Sequence, residues 1–541
     1  MLTHKFEVKS KKENGKLLRS FGFAFFLFTV GLSFSCGTKP VDLRSLVPSD
    51  SLVYLESDDL GAVMSAITER PVFRDAAKTI PDLSILNGVK LAVAVTGFET
   101  KEQPVTDENS VLNFTPRFVA ILETNAWNYQ ALKFTEEKLG SFIDDVYGGE
   151  VVLETSDKHD GKYFVWTAED GRKAYGLVQG SVVYFGNDES SIEKCLAVKQ
   201  GEIESIAKNP KITNGDRLAF GYVSPDGVAQ IANIAGLSLA KQSSEAGEVQ
   251  GFIARILPEI LRNSLKEATW TAIKSDEGIV DSFTVSMNPD VSAVLSETLI
   301  SSRHSTDLLP RPGIGEAHSV TRYHLQDPLV AWRSLVLSAG KATDPASGSL
   351  IVNFSDGIFE PYGIENPEKF LRAVEPELFT IRFDESGENV VVVAKVKDLQ
   401  MFEQSIAEEL RIAKPVIESP DQTVRKSADG ELMLATKPSG VIYLGDAGSV
   451  EKLLRAQEGN GDKQPFTKRM FEGNALAATT GVDKAVAAKI VPLFAEPKST
   501  DIAPDSHFLT ETRFGKNGIE RRTVSDFGVI GWIATQLGND E

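Results

Sequence analysis

Two stretches of the chain carry a serine and a lysine at the spacing a nucleophile and its base require. Ser191-Ile192-Glu193-Lys194 and Ser449-Val450-Glu451-Lys452 both read Ser-x-x-Lys. Three residues along a helix put both side chains on one face, where a lysine amine can take the serine proton. Neither a Ser-Asp-Asn nor a Lys-Thr-Gly accompanies them. A serine at a helix start followed by Glu is also the signature of an amino-terminal cap, and we read both as caps. The metal-ligating types are sparse. The six histidines are His4, His159, His304, His318, His324 and His507, and no His-x-x-x-His or His-Glu-x-x-His occurs. No glycine-rich phosphate loop and no Gly-x-Ser-x-Gly is present, so the sequence names no catalytic residue, metal site or cofactor.

The two cysteines divide differently. Cys195 aligns with Leu453 of a second copy of its segment and reads as a small buried apolar residue. Cys36 ends a leader: Lys5, Lys9, Lys11, Lys12, Lys16 and Arg19 precede an apolar run, Phe21–Phe34, then Ser35-Cys36-Gly37. An apolar run of about 14 residues is short for a bilayer span but suits a signal-peptide core. Leu32-Ser33-Phe34-Ser35-Cys36 resembles a bacterial lipobox, with Ser33 where that motif usually carries Leu. The resemblance implies cleavage after Ser35, acylation of Cys36 and anchorage by the lipid. Gly37 in place of the inner-membrane Asp then favours the outer membrane, periplasmic side. We divide the chain into a signal peptide (1–35), a lipidated tether (36–46), a first half (47–300), a linker (301–318) and a second half (319–541).

A net charge of −19 disfavours phosphate-backbone contacts, so no nucleic acid is expected. It also disfavours electrostatic adhesion to anionic lipid. With 76 acidic residues, no carboxylate pair stands out, and most belong to a solvated surface.

The halves are read from repeated units. Val182–Gly201 and Val441–Gly459 share an aromatic strand (Tyr184, Tyr443), a glycine (Gly186, Gly445) and an Ile/Val-Glu-Lys helix start. Upstream, Ser51–Glu56 with a helix from Leu60 matches Ser319–Leu325 with a helix from Pro328. Phe118–Thr124 likewise matches Val390–Val396. Downstream, Leu218–Val223 matches Ala475–Gly481, and each half closes on a hairpin turning at Asp276-Glu277-Gly278 or Lys516-Asn517-Gly518. Thr100–Pro116 reads as a surface loop, and Val228–Gly251 as an insertion peculiar to the first half, an apolar helical stretch Val228–Leu237 followed by a polar loop, Lys241–Glu248.

The expected fold is α+β: two homologous halves, each an antiparallel-rich sheet with helices packed mainly on one face. Lipobox, Val47-Pro48-Ser49-Asp50-Ser51 start and duplicated unit together resemble uncharacterised bacterial envelope lipoproteins. Those proteins are of unknown function; with no catalytic motif in the chain, we expect a non-enzymatic envelope scaffold or binding module, with a protein partner or apolar ligand. The alternatives are a hydrolase with a site between the halves and a carrier of an apolar ligand.

Overall fold

The computed structural model describes residues 41–104, 110–149, 151–242, 248–302, 317–384, 389–456, 466–498 and 505–537. Cys36, the signal peptide and most of the linker lie outside the described residues.

The chain opens with a 3₁₀ turn, Leu43–Leu46. Then come β1 (Val53–Ser57), α1 (Leu60–Thr68), α2 (Pro71–Ala76), β2 (Lys90–Pro104), β3 (Ser110–Glu123), α3 (Asn128–Phe134) and α4 (Gly140–Tyr147). Four short strands follow: β4 (Val152–Lys158), β5 (Gly161–Thr167), β6 (Lys173–Gln179) and β7 (Val182–Gly186). After α5 (Glu189–Gln200) come β8 (Ala219–Val223), α6 (Pro225–Gln242), α7 (Glu248–Ser264), β9 (Leu265–Ser275), β10 (Gly278–Met287) and α8 (Pro289–Thr298).

Beyond the linker the chain forms β11 (Ser319–His324), α9 (Pro328–Lys341), α10 (Pro345–Phe354), α11 (Pro367–Ala373), β12 (Val374–Arg382) and β13 (Val390–Val396). Two short helices, α12 (Leu399–Glu403) and α13 (Glu408–Ile412), precede β14 (Pro415–Glu418), β15 (Thr423–Lys426), β16 (Leu432–Thr436) and β17 (Val441–Asp446). The chain ends with α14 (Ala447–Ala456), α15 (Thr467–Glu472), β18 (Ala477–Val482), α16 (Lys484–Phe494), β19 (His507–Gly515), β20 (Gly518–Ser525) and α17 (Gly528–Leu537).

Among the described residues every strand pairing is antiparallel. The strands before the linker lie in the order β4-β5-β6-β7-β3-β2-β1-β8-β9-β10. Those after it run β14-β15-β16-β17-β13-β12-β11-β18-β19-β20, position for position the same order. The sequence led us to expect a sheet per half. Instead β10 pairs with β20, from Ile279↔Ser525 to Ser286↔Gly518, and one sheet of twenty strands results. Hairpins at both closing turns leave β10 and β20 with one free edge each, and each edge satisfies the other's backbone groups. The outer edges are blunted differently. β4 is exposed and carries Glu154, Asp157 and Lys158, while β14 is four residues long and begins with Pro415.

Because the register is continuous, a single row of side chains crosses the whole sheet. It runs Tyr184, Ile121, Ala92, Glu56, Phe220, Thr271, Ser282, Arg522, Glu511, Ala478, Arg322, Phe379, Val393, Tyr443. Side chains of one row share a face. On this tyrosine face, the 3₁₀ turn and α5 cover Tyr184, while α14 and α15 cover Tyr443. Most other helices pack on the opposite face: α1 to α4, α16 and α17 over the first half, α9 and α11 to α13 over the second. The closing helices cross over: Phe494 of α16 meets Phe73 of α2 with ring centroids 6.5 Å apart, and Ile490 and Phe527 join the first-half core.

Two local readings change. Thr100–Pro116 is not a loop up to its tip, since β2 and β3 stay paired as far as Pro104↔Ser110. Leu43, Leu46 and Val47 are buried in the first-half core, so the tether is shorter than its expected end at residue 46. The expected insertion helix Val228–Leu237 lies within α6, which runs on to Gln242 into the expected polar loop; residues 243–247 of that loop lie outside the described residues, and Glu248 already begins α7.

Candidate functional site

Ser191 and Ser449 are the third residues of α5 and α14, not their caps. Asp188 and Asp446 fill that role: their carboxylates accept from the Ser191 N–H at 3.0 Å and the Ser449 N–H at 2.7 Å. Aspartate outcompetes serine here because a full charge meets the positive end of the helix. The Ser191 hydroxyl is fully buried, donating to Asp188 Oδ2 at 2.9 Å and lying 2.6 Å from Thr96 Oγ1. Lys194 points to the surface, where its ammonium bonds Asp50 at 3.2 Å. Lys452 lies over the Phe383 ring. The structure therefore does not bring either lysine to its serine as a base. Cys195 is buried in the core under α5, and burial pushes its thiol up to about 12, leaving it protonated and inert.

His4 and His304 lie outside the described residues. No group of three or more His, Cys, Asp or Glu positioned for a metal ion occurs among the described residues. His324 instead belongs to a cluster the sequence did not announce. Arg322, on the same face of β11, donates from Nε to Glu377 Oε1 at 2.5 Å and reaches His324 Nδ1 at 3.2 Å. Its other nitrogen donates to the carbonyls of Met470, Phe471 and Gly473 at 3.0, 3.1 and 3.2 Å. These include the unpaired last-turn carbonyls of α15, so a buried cation caps that helix. Burial, then the adjacent guanidinium, holds His324 below its ordinary value, so the imidazole is neutral.

The same rung of the first half carries the opposite sign. Glu56 accepts from Tyr54 Oη at 2.7 Å and from Arg217, with Arg44 3.8 Å away. A third buried charge ties the halves together. Asp281 of β10 accepts from Trp270 Nε1 at 2.8 Å and from the Val529 N–H at 2.9 Å, capping α17 of the other half. Burial raises its carboxyl above the ordinary range. Each of the three clusters finds its partners within the fold.

What remains open is surface. A shallow cleft of about 390 Å³ lies between α11 and α12, with Asn366, Lys369, Arg372, Asp398 and Gln404 among its polar walls. The α9–α10 hairpin exposes several large apolar side chains. These helices cross at two glycines, close enough that a Cβ on Gly348 would stand 2.4 Å from the Gly340 carbonyl oxygen. Val330, Leu337, Leu350, Val352 and Phe354, with Ile358 just beyond, face outward; Leu337 and Phe354 are 53% and 52% exposed. The sequence showed α9 from its Asp327-Pro328 start, but α10 carries its large apolar residues outward and gave no inward stripe. Several exposed apolar side chains on neighbouring helices stand out more than a lone exposed Leu. Among the described residues no helix is long and apolar enough to cross a membrane.

No family model and no curated protein matches the chain. Among solved structures it is similar to those of TP0453, a Treponema lipoprotein. The match to crystal form I has a TM-score of 0.23 at 11% identity, covering 50% of this chain and 90% of that one. The match to crystal form III has a TM-score of 0.22 at 9% identity, with 50% and 92% covered. At such scores the likeness carries no argument about function.

Proposed function

We propose that the chain is an envelope lipoprotein, acylated at Cys36, whose folded body is a non-enzymatic binding module using the α9–α10 surface to engage a protein partner. The single observation behind the binding role is the exposure of Val330, Leu337, Leu350, Val352 and Phe354 on one helical hairpin, with Ile358 in the turn that follows it. Burying a Leu- or Phe-sized side chain is worth about 1.5–3 kcal/mol, so a few of these suffice as the centre of an interface. The basic leader, apolar run and Ser35-Cys36 support the anchor. The repeated strand order supports reading the halves as copies of one module.

In-cell crosslinking with mass spectrometry tests the binding role. Crosslinks from α9–α10 peptides to one partner are expected in the wild type and lost in Leu337→Lys/Phe354→Lys, which leaves stability unchanged. Identical crosslinks from both proteins would refute it. Palmitate labelling tests the anchor: label is expected in the wild type and Cys195→Ala, and absent from Cys36→Ala.

A further inference from the structure

We infer that the tyrosine face of the first half, around the 3₁₀ turn and the segment 201–217, is the membrane-proximal surface, resting on the headgroups of the bilayer that holds the Cys36 lipid. This rests on the proposed acylation. The chain joins the folded body early. Val41 packs against the core under α5, and Leu43, Leu46 and Val47 are buried in it. Backbone bonds hold the segment down: Ser49 N–H to the Glu204 carbonyl at 2.9 Å and Ile206 N–H to the Val47 carbonyl at 2.8 Å. Arg44 reaches Glu56, which Arg217 also binds, and Arg217 in turn donates to the Thr213 carbonyl at 2.6 Å.

Only Gly37, Thr38, Lys39 and Pro40 separate Cys36 from Val41. Five residue steps reach at most about 17 Å, even fully extended. The lipid therefore enters the bilayer within that distance of Val41. The α4 helix packs on the opposite side of the same strands, with Phe142 against Phe185 while Tyr184 faces α5. Reaching it means crossing the sheet and then a helix layer, each about 10 Å deep. The near surface is largely polar: Thr213, Asn214 and Asp216 are exposed, Lys208 pairs with Glu204, and Ile203 is an exposed apolar side chain in the same segment. Such a surface lies on headgroups and does not insert below them.

The test uses the full-length acylated protein in phosphatidylethanolamine–phosphatidylglycerol vesicles containing a headgroup-quencher lipid. Acylated Cys36 and buried Cys195 are unreactive, so a fluorophore labels only an introduced cysteine. Asn214→Cys reports the near face and Asp145→Cys, exposed on α4, the far one. The expected result is at least threefold stronger quenching at position 214. Inserting ten Gly/Ser residues after Pro40 should erase the difference while acylation persists. Equal quenching at both sites, or none at 214 on vesicle-bound protein, would overturn the orientation alone. Absence of palmitate label together with no vesicle binding would overturn the acylation reading and the orientation with it.

Discussion

Strands β1 and β11 occupy equivalent places in the sheet, and each sends a charge into the tyrosine face at the same rung: Glu56 in one, Arg322 in the other. Both counter-charges are local. Arg217 comes from the segment before β8, and the α15 carbonyls come from the segment before β18, with Glu377 added from β12. The backbone frame repeats while the electrostatics is inverted. A buried position can thus carry either sign, provided a neighbouring segment delivers the partner. The two clusters differ in depth: Arg322 is held by five acceptors, whereas Glu56 sits nearer the rim.

That difference orders the expected effects. Arg322→Met should be the largest, about 3–5 kcal/mol by urea unfolding, because it removes the guanidinium that faces the buried Glu377 carboxylate and uncaps α15. Arg322→Met/Glu377→Leu should recover much of it, since the double variant removes the carboxylate as well. Glu56→Gln should cost less, about 1–3 kcal/mol, as the amide can still accept from Tyr54 or Arg217. Equal losses at the two sites would break the contrast.

Titration sharpens it further. His324 stands beside Arg322, and the first-half cluster has no histidine. Its folded value lies below the ordinary ~6.5, so the unfolded chain takes the proton first. Stability is whole above ~6.5 and falls as the pH drops from there towards the folded value, by at most about 1.4 kcal/mol per unit. His324→Gln should flatten that segment of the stability–pH curve, and Glu56→Gln should leave it unchanged. Asp281 has the opposite sign. Its folded value is raised, so its favourable contribution is whole below the ordinary ~3.9 and is lost as the pH rises through the folded value. Asp281→Asn, the smallest change at about 1 kcal/mol, should remove that loss while keeping an acceptor for Trp270.

The sequence was legible where a periodic strand met a strong start signal. β7 with α5 and β17 with α14 could be read from Tyr184, Tyr443 and the glycines after them, although the caps proved to be Asp188 and Asp446, three residues ahead of the serines. The β10–β20 junction was not legible, because both strands belong to ordinary hairpins and nothing local says that their outer edges meet. The Arg322–Glu377–His324 cluster stayed hidden for a related reason: Glu377 lies on β12, a strand that the local pattern did not mark and whose register with β11 is a long-range fact. Thr100–Pro116 read as loop because Glu, Asp, Thr and Pro dominate there, while the β2–β3 ladder depends on backbone groups.

The central claim is that both halves share one sheet and unfold together. Hydrogen exchange with segment-resolved mass spectrometry tests it most directly, following peptides from Gly278–Met287 and Gly518–Ser525 through increasing urea. The account predicts that both are among the best-protected segments and lose protection at one urea concentration, together with β7 and β17. Rapid exchange in β10 and β20, or separate midpoints for β7 and β17, would contradict it.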